Sequence, residues 1–389
     1  MKVSARASVR DALRLRAAAL DLLGGRQPHW SDLAACSAGT WDVFLRTERC
    51  ALALKARIAA AERAVPDHVE TAATRELQRI LSARGHLQRI GRLAAAHGIP
   101  VIVLKGGVAA LVSAAAVDLA DADVLVRTPH AQGLAELLDS EGFRSIGPTG
   151  PAHLAMRLAP NAVQIEVHFA LNDIEVTDGM WNRARPLDGA AGLSRLGAAD
   201  HLWHLLVHTV VTHPHRRGSL RDVLLTAEAL HDCSPAELRE VELLIAGHPL
   251  SQPLDELLAM ARELRDGVPL RDRFRLEAAA NYLLRGPLGW LRDSRFWTPA
   301  FASALFSLLG SAVDRRREWA LAWMRPQFPS PWGVAARLER RSPRIGRWSR
   351  TAVKLTRLIV VRMAAWPVAL AARLLASSAL VAVFNLLTF

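Results

Sequence analysis

The sequence predicts an α+β fold in which a small mixed β-sheet is embedded in a mostly helical protein. Helical spacing of apolar residues dominates before residue 95 and after residue 198, and 51% of the 389 residues are hydrophobic. Between these segments, strand-like runs occur at residues 101–104, 124–126 and 162–170. We therefore expect four regions: helices over 1–95, a sheet core over 96–172, a helical domain over 173–330 and a tail over 331–389.

Three helices are predicted in the first region, at residues 9–23, 41–65 and 68–97. Gly24-Gly25 and Pro66 separate them, since these residue types interrupt helices. The turn His97-Gly98-Ile99-Pro100 then leads into a buried strand at 101–104, and a short helix is expected at 106–116.

Two aspartates open the next strand, in the motif Asp121-Ala122-Asp123. Carboxylates at i and i+2 of a strand point to the same face, about 6–7 Å apart, so both can bind one divalent cation. Gly106 and Gly107, which follow the preceding strand, would let a phosphate approach the backbone. The pattern predicts a site for a metal-bound triphosphate. The alternatives are a solvated strand edge for the acids and a plain tight turn for the glycines.

A third carboxylate is expected on the same sheet. After a helix over 128–140, strands are predicted at 143–146 and 152–159, followed by a strand at 162–170 with clear alternation. Its apolar residues share one face, while Gln164, Glu166 and His168 share the other. If this strand lies beside the Asp-x-Asp strand, Glu166 converges with Asp121 and Asp123. Carboxylate oxygens suit Mg²⁺ or Mn²⁺.

These motifs together resemble a known group of enzymes. Gly-Gly followed by Asp-x-Asp is similar to the nucleotidyltransferase fold that polymerase-β-like and antibiotic-adenylating enzymes share. The wider set is closer to an uncharacterised bacterial nucleotidyltransferase family, and the resemblance extends from about residue 78 to residue 230. Three segments carry it: Leu104-Lys105-Gly106, Asp121-Ala122-Asp123-Val124-Leu125-Val126 and Glu166-Val167-His168.

The resemblance implies a nucleotidyltransferase core that moves a nucleoside monophosphate from a nucleoside triphosphate (NTP) to an acceptor hydroxyl, with Mg²⁺ or Mn²⁺ as cofactor. Asp121 and Asp123 would bind metal, and Glu166 would complete the metal site or activate the acceptor. Lys105, with Gly106 and Gly107, would hold the triphosphate, although a lysine can also merely close a strand. The acceptor, whether small molecule, peptide or protein, is not identified by the sequence.

Further helices, predicted at 198–213, 218–232, 235–247, 252–265 and 270–284, would shape the acceptor site. His204 and His208 lie with His201 on one stripe of the first helix, and Asp222 lies on the second. The family has a histidine-containing helix and a Leu-x-x-x-Asp-like helix in these places. With His168, these are the candidate acceptor-site residues. The alternatives are a zinc site for the stripe, an ion pair with Arg221 for Asp222 and a structural hydrogen bond for His168.

The sequence departs from the family at two positions; the first favours a different function, whereas the intact set of three acids favours the enzyme. Val117 stands where members commonly carry Arg, four residues before Asp121, and Phe169 stands where Trp is usual. Loss of the arginine removes a candidate phosphate contact. The alternative hypothesis is therefore a catalytically inactive nucleotidyltransferase-like binding or scaffold protein, attached to a membrane through its tail.

The charge of the chain is concentrated in that tail. The net charge is +12, and residues 331–363 contain nine Lys or Arg residues against one Glu, a net +8. A basic amphipathic helix followed by the uncharged segment 374–389 is typical of attachment to an anionic membrane surface. The tail could also dock on the protein itself or span the bilayer. A further helix is expected at 298–325.

The remaining composition bounds the partners and the location. Basic residues without an aromatic-rich sheet or a recognition motif do not indicate a nucleic-acid partner. Cys36, Cys50 and Cys233 are far apart and form neither a disulfide framework nor a zinc pattern, which indicates a reducing cytoplasm. We identify no signal peptide. The predicted location is the cytoplasm, at the periphery of the inner membrane face if the tail binds lipid.

Overall fold

The computed structural model describes residues 5–112, 117–119, 121–146, 152–158, 162–171, 173–213 and 217–286. The chain up to Gly286 forms one compact unit, and the predicted boundaries after residues 95 and 172 stay predictions. The predicted helix at 298–325 and the tail over 331–389 lie outside the described residues. Within the described ranges, no helix combines the length and the apolar character needed to cross a bilayer.

Helices fill the N-terminal part, as predicted, although one of the predicted helices is divided in two. They are α1 (Ala5–Leu23), α2 (Trp30–Ala34), α3 (Ala38–Glu48), α4 (Ala51–Ala60) and α5 (Asp67–Ala96). The prediction of one continuous helix over 41–65 is wrong, because the structure has two helices there, α3 and α4. Arg49 adopts a left-handed φ of 52° at the break, and its Nε donates a 2.6 Å hydrogen bond to Asp118 Oδ2.

The strands form one mixed sheet, which confirms the α+β class. They are β1 (Val101–Val103), β2 (Asp121–Val126), β3 (Arg144–Ser145), β4 (His153–Arg157), β5 (Gln164–His168), β6 (Arg185–Pro186) and β7 (Leu193–Arg195). Their order is β3-β4-β5-β2-β1-β7-β6, with β2–β5 and β1–β7 parallel and the other pairs antiparallel. The sequence did not predict β6 and β7, since both are very short.

The two faces of the sheet have different environments. One face packs on α5, α6 (Gly106–Val112) and α7 (Thr128–Ser140). Its buried side chains include Val124 and Val167, the inward half of the predicted alternation. On the opposite face a smaller apolar cluster, with Ile102 and Leu125 of the sheet, packs against α8 (Asp178–Arg183). The polar residues of β2 and β5 share this second face.

The C-terminal helices of the described unit follow the predicted pattern. They are α9 (Ala198–Val207), α10 (Leu220–His231), α11 (Pro235–Ala246), α12 (Ser251–Arg265) and α13 (Arg275–Arg285). The predicted helix over 198–213 continues beyond α9 as a π-helical turn, His208–Thr212. The last helix begins at Arg275 rather than near residue 270. It packs on α1 and α3, so it joins the N-terminal helices.

Candidate active site

The geometry of the candidate site is set by the pairing of β2 with β5. The strands are parallel neighbours, and Asp123 lies directly opposite Glu166, while Asp121 lies opposite Gln164. Because residues at i and i+2 of a strand share one face, Asp121, Asp123 and Glu166 all belong to the polar face. The adjacency on which the predicted convergence depended is therefore present.

Asp123, Glu166 and His168 form a compact group at this face. His168 Nε2 lies 2.8 Å from Asp123 Oδ1 and 3.5 Å from Glu166 Oε2. One ligand-type atom from each residue lies within 4.8 Å of the others, so the group could hold a divalent metal ion. Two carboxylates suit Mg²⁺, and the addition of an imidazole also suits Mn²⁺ or another transition metal.

Lys105 forms an ion pair with the buried aspartate of this group. Its Nζ donates a 2.9 Å hydrogen bond to Asp123 Oδ1, and the two side chains are only 11% and 4% exposed. Lys105 lies between β1 and α6 with a left-handed φ of 50°. Its predicted contact with a triphosphate stays a prediction.

Neighbouring charges lower the pKa values of two carboxylates of the site. Burial alone would raise the pKa of Asp123, but Lys105 and His168 outweigh it and hold that pKa well below its usual range. Burial acts to raise the pKa of Glu166 as well, but the hydrogen bond from His168 and the charges of His153 and His168 together lower it. Burial lowers the pKa of His168 and its two carboxylate partners raise it, with a net rise. The arrangement therefore favours ionised carboxylates on either side of an imidazolium.

Asp121 differs from the other two acids. It is half-buried, and its carboxylate makes no hydrogen bond or ion pair with any residue that the structure describes. Burial and the charge of Asp123 raise its pKa, against the opposing charge of Lys105. Asp121 does not belong to the compact group of Asp123, Glu166 and His168. Its predicted role as a metal ligand stays a prediction.

The two glycines of α6 are explained by packing alone. A Cβ on Gly106 would lie 2.4 Å from Leu119 Cδ2, and one on Gly107 would lie 2.7 Å from Val103 Cγ1. The Gly107 N–H donates a 3.0 Å hydrogen bond to the Leu104 carbonyl. The glycines therefore let α6 approach the sheet closely. Their predicted contact with phosphate stays a prediction.

His153 of β4 is a site residue that the sequence analysis missed. It lies opposite His168 across the antiparallel β4–β5 pair, with the ring centroids 5.0 Å apart. Its Nε2 is 3.9 Å from Glu166 Oε2, and its buried Nδ1 has no hydrogen-bond partner in the described part of the chain. Burial lowers its pKa. No motif marks this histidine, because its position depends on the register between two strands.

The histidine stripe of α9 approaches the same site. His201 and His204 are buried; burial lowers the pKa of His201 to about 4, and burial and the charge of Lys105 hold the pKa of His204 well below its usual range. The rings of His204 and His208 are 5.9 Å apart. Among the residues described, the stripe does not form a three-residue metal group, so the zinc alternative lacks support. Its role at the acceptor stays a prediction.

Asp222 of α10 is buried and bonded within the protein. Arg221 Nη1 donates to its Oδ1 at 2.8 Å, and Ser219 Oγ donates to its Oδ2 at 2.8 Å. Arg221 also donates from Nε to the Asp118 carbonyl at 2.6 Å. The ion-pair alternative describes these contacts, and acceptor binding by Asp222 stays a prediction.

Comparison with known proteins assigns the family. Residues 45–266 match the model of a family described as uncharacterised nucleotidyltransferases, which is more than half of the chain. The chain belongs to this family. The nucleotidyltransferase match includes all seven strands and every candidate site residue above. Val117, where the sequence resemblance led us to expect arginine, is buried within it.

Two further comparisons add little detail. An antigenic nucleotidyltransferase-like protein from Paracoccidioides brasiliensis, known from its crystal structure, matches 49% of this chain and 95% of its own, with 15% identity and a TM-score of 0.27. No curated protein matches the chain.

Proposed function

We propose that this protein is a metal-dependent nucleotidyltransferase that moves a nucleoside monophosphate from an NTP to an acceptor hydroxyl. The observation that carries the proposal is the side-by-side placement of Asp123 and Glu166 on parallel strands, with His168 between their carboxylates. Membership of the nucleotidyltransferase family supports a nucleotide as the substrate.

The donor set suits the metal that this chemistry needs. Asp123 and Glu166 would hold Mg²⁺ or Mn²⁺, and the half-buried Asp121 would supply a further carboxylate oxygen. When bound, such an ion neutralises charge on the triphosphate and on the departing pyrophosphate. His168, which contacts both Asp123 and Glu166, would keep the two carboxylates in place.

The chain's own residues would then position the reactants, since phosphoryl transfer depends mainly on positioning and charge neutralisation. The acceptor oxygen forms a bond to the α-phosphorus, while the bond from that phosphorus to the bridging oxygen of pyrophosphate breaks. Where Glu166 activates the acceptor instead of completing the metal site, its carboxylate would accept the hydroxyl proton, and His153 lies beside it. Lys105 would leave its ion pair with Asp123 and pair with a triphosphate oxygen instead.

One observation favours the alternative of a binding protein without catalysis. Lys105 and His168 both contact Asp123 Oδ1, so that this oxygen is already engaged by two protein donors. A buried ion pair of this kind is costly to break, because separation leaves a buried charge without a partner. In that case nucleotide binding would not depend on a metal.

Calorimetric titration of the full chain with ATP and GTP, with and without Mg²⁺ or Mn²⁺, separates the two functions. We expect binding that requires metal and that weakens at least about tenfold in Asp123→Ala and in the milder Glu166→Gln, since each removes a charge-assisted contact. Asp188→Ala, which changes an exposed aspartate outside the site, is the control and should bind normally. Binding by the parent protein that is equal with and without metal would support the inactive alternative and overturn the enzyme.

The acceptor side and the location remain proposals. His204 and His208, whose rings are neighbours, would contribute to the acceptor site, and His168 and Asp222 would act there only by changing their present partners. A cytoplasmic location and the attachment of residues 331–389 to an anionic membrane stay predictions.

A further inference from the structure

A cavity of about 800 Å³ lies between α3 and α5, and the three residues of the metal group do not line it. Arginines are the most frequent residues in its wall, which they reach from α3, α5, α13 and the α3–α4 junction. They are Arg46, Arg49, Arg75, Arg79 and Arg285. None of them belongs to a motif that the sequence reveals.

The acidic residues of the wall do not cancel this positive charge. Asp118 is shared by two arginines, since Arg49 Nε and Arg79 Nε each donate to it at 2.6 Å. Asp42 pairs with Arg46, and Asp67 is exposed. Glu76 is buried, and burial raises its pKa to about 7, so that it carries only part of a charge near neutral pH.

Arg75 is the guanidinium of the cavity that is most accessible to a ligand. It is exposed on α5, and it makes no hydrogen bond or ion pair with any residue in the described ranges. Arg79, one helical turn further along α5, keeps 41% of its side chain exposed while it binds Asp118. Two guanidinium groups spaced one turn apart on a helix can therefore contact the same anion.

The cavity adjoins the carboxylate site through Asp118. This residue lies in the cavity wall and precedes Asp121, the first residue of β2, by three positions. Acidic residues of both the cavity wall and the carboxylate site act on Arg49. Burial acts to lower its pKa, but the charge of Asp118, followed by the charges of Asp121 and Asp222, raises it. Asp118 thus connects the cavity wall to the strand that carries Asp121, whose carboxylate has no hydrogen-bond partner among the described residues.

We propose that this cavity binds the phosphate groups of a substrate. The substrate is that of the proposed transferase, but the phosphate site itself is inferred from the arginines of the cavity wall. Planar guanidinium groups match phosphate oxygens with paired hydrogen bonds. The phosphates belong either to the NTP or to a phosphorylated acceptor. Arg75 and Arg79 contact them, and Asp118 positions Arg79 and Arg49.

Calorimetric titration of the full chain with sodium tripolyphosphate, without metal or nucleoside, tests the cavity. We expect saturable binding that weakens about tenfold in Arg75→Gln, which is about 1.4 kcal/mol, because the variant loses one charge-assisted hydrogen bond. Arg92→Gln is the matched control. Arg92 is exposed on the same helix, makes no hydrogen bond or ion pair with a described residue and lies about 25 Å from Arg75 along the helix axis. The absence of saturable binding, or equal weakening in Arg92→Gln, overturns the proposal.

A second titration identifies the source of the phosphates. Tripolyphosphate is added to protein saturated with a non-hydrolysable NTP analogue and Mg²⁺. Competition assigns the cavity to the triphosphate of the NTP, whereas simultaneous binding assigns it to the acceptor, and either result supports a phosphate site. Asp123→Ala should bind tripolyphosphate as the parent does. Failure of metal-dependent nucleotide binding can therefore be distinguished from failure of the cavity to bind phosphate.

Discussion

Asp123 and Asp121 lie two residues apart on one strand and yet have opposite electrostatic environments. Lys105 and His168 contact Asp123 Oδ1 at 2.9 and 2.8 Å, and the pKa of Asp123 falls despite its burial. Asp121 has no such partner, and its pKa rises through burial and the charge of Asp123. Asp123 therefore anchors the site, and Asp121 has its oxygens available for a ligand.

Gly107 provides a test of whether the glycines serve packing or a ligand. We expect Gly107→Ala to lower the free energy of unfolding by about 1–3 kcal/mol, because the new Cβ would lie 2.7 Å from Val103 Cγ1 and 3.4 Å from Leu87 Cδ1. Urea denaturation followed by circular dichroism measures the change.

Gly133→Ala in α7 is the control for this substitution. Its Cβ would meet nothing within 4 Å, so stability should rise by about 0.5–1 kcal/mol, the usual gain from replacing a helical glycine. If Gly107→Ala were as stable as the parent and lost only nucleotide binding, the packing explanation would be wrong and the phosphate explanation would stand.

At the scale of elements, α4 begins without a capping side chain of its own. Cys50 at its N-cap position makes no side-chain hydrogen bond. Glu76 of α5 replaces the cap, since its Oε1 accepts from the Ala51 N–H at 3.1 Å and its Oε2 accepts from the Leu52 N–H at 2.8 Å. One helix therefore satisfies the first backbone donors of another.

This tertiary cap explains why the α3–α4 break could not be predicted. The segment over 41–65 contains neither Gly nor Pro, and its apolar spacing continues through the break. The chain turns at Arg49 because Asp118 binds its guanidinium and Glu76 caps the following helix. Both partners are distant in sequence.

In the candidate site, too, the features set by local sequence could be predicted and those set by distant contacts could not. Alternation along β5 predicted that Glu166 and His168 face away from the core, and the i, i+2 spacing predicted that Asp121 and Asp123 share a face. These are local properties of a strand. The position of His153 depends on strand register, and the pairing of Asp118 with Arg49 and Arg79 depends on helix packing. One sequence does not reveal either.

The Glu76 cap makes stability depend on pH. Burial raises the pKa of Glu76 from 4.5 to about 7 in the folded protein, although the two N–H donors oppose this rise. Because its pKa is higher in the folded than in the unfolded protein, Glu76 contributes its full stabilisation below about pH 4.5. That contribution is lost as the pH rises through about 7. We expect a loss of up to about 3 kcal/mol over this window.

The measurement is urea unfolding of the parent protein and of Glu76→Gln at pH 4.5, 6 and 8. Gln cannot titrate, so the stability of the parent minus that of the variant should fall steadily between the first and the last pH. A difference that is constant with pH, or that increases with pH, would show that Glu76 is ionised normally.

At the scale of the whole molecule, Arg16 joins the two ends of the described unit. The residue is fully buried, and its guanidinium contacts Glu48 at 2.8 Å, Asp272 at 3.0 Å and the Gly218 carbonyl at 2.8 Å. Glu48 also accepts a hydrogen bond from Tyr282. Arg16, Asp272 and Tyr282 all lie outside the matched family segment, 45–266. In this chain the family segment is therefore completed by α1 and α13.

The same network reaches the candidate site, because Glu48 Oε2 accepts from the Leu220 N–H at 2.8 Å at the start of α10. Arg221 and Asp222 follow directly, and Arg221 Nε holds the Asp118 carbonyl. The orientation of α10 therefore depends on a carboxylate whose charge is balanced by Arg16.

Arg16→Met should accordingly lower the free energy of unfolding by about 3–5 kcal/mol, since it leaves the buried Glu48 carboxylate without its cation. Arg14→Met on the same helix is the matched control. The Arg14 side chain is 55% exposed and pairs with Asp11 at 3.2 Å, so its loss should change stability by less than about 1 kcal/mol. Thermal and urea unfolding of both variants measure the difference. Equal stability of the two would mean that the ends of the unit are held by apolar packing and that Glu48 does not need its partner.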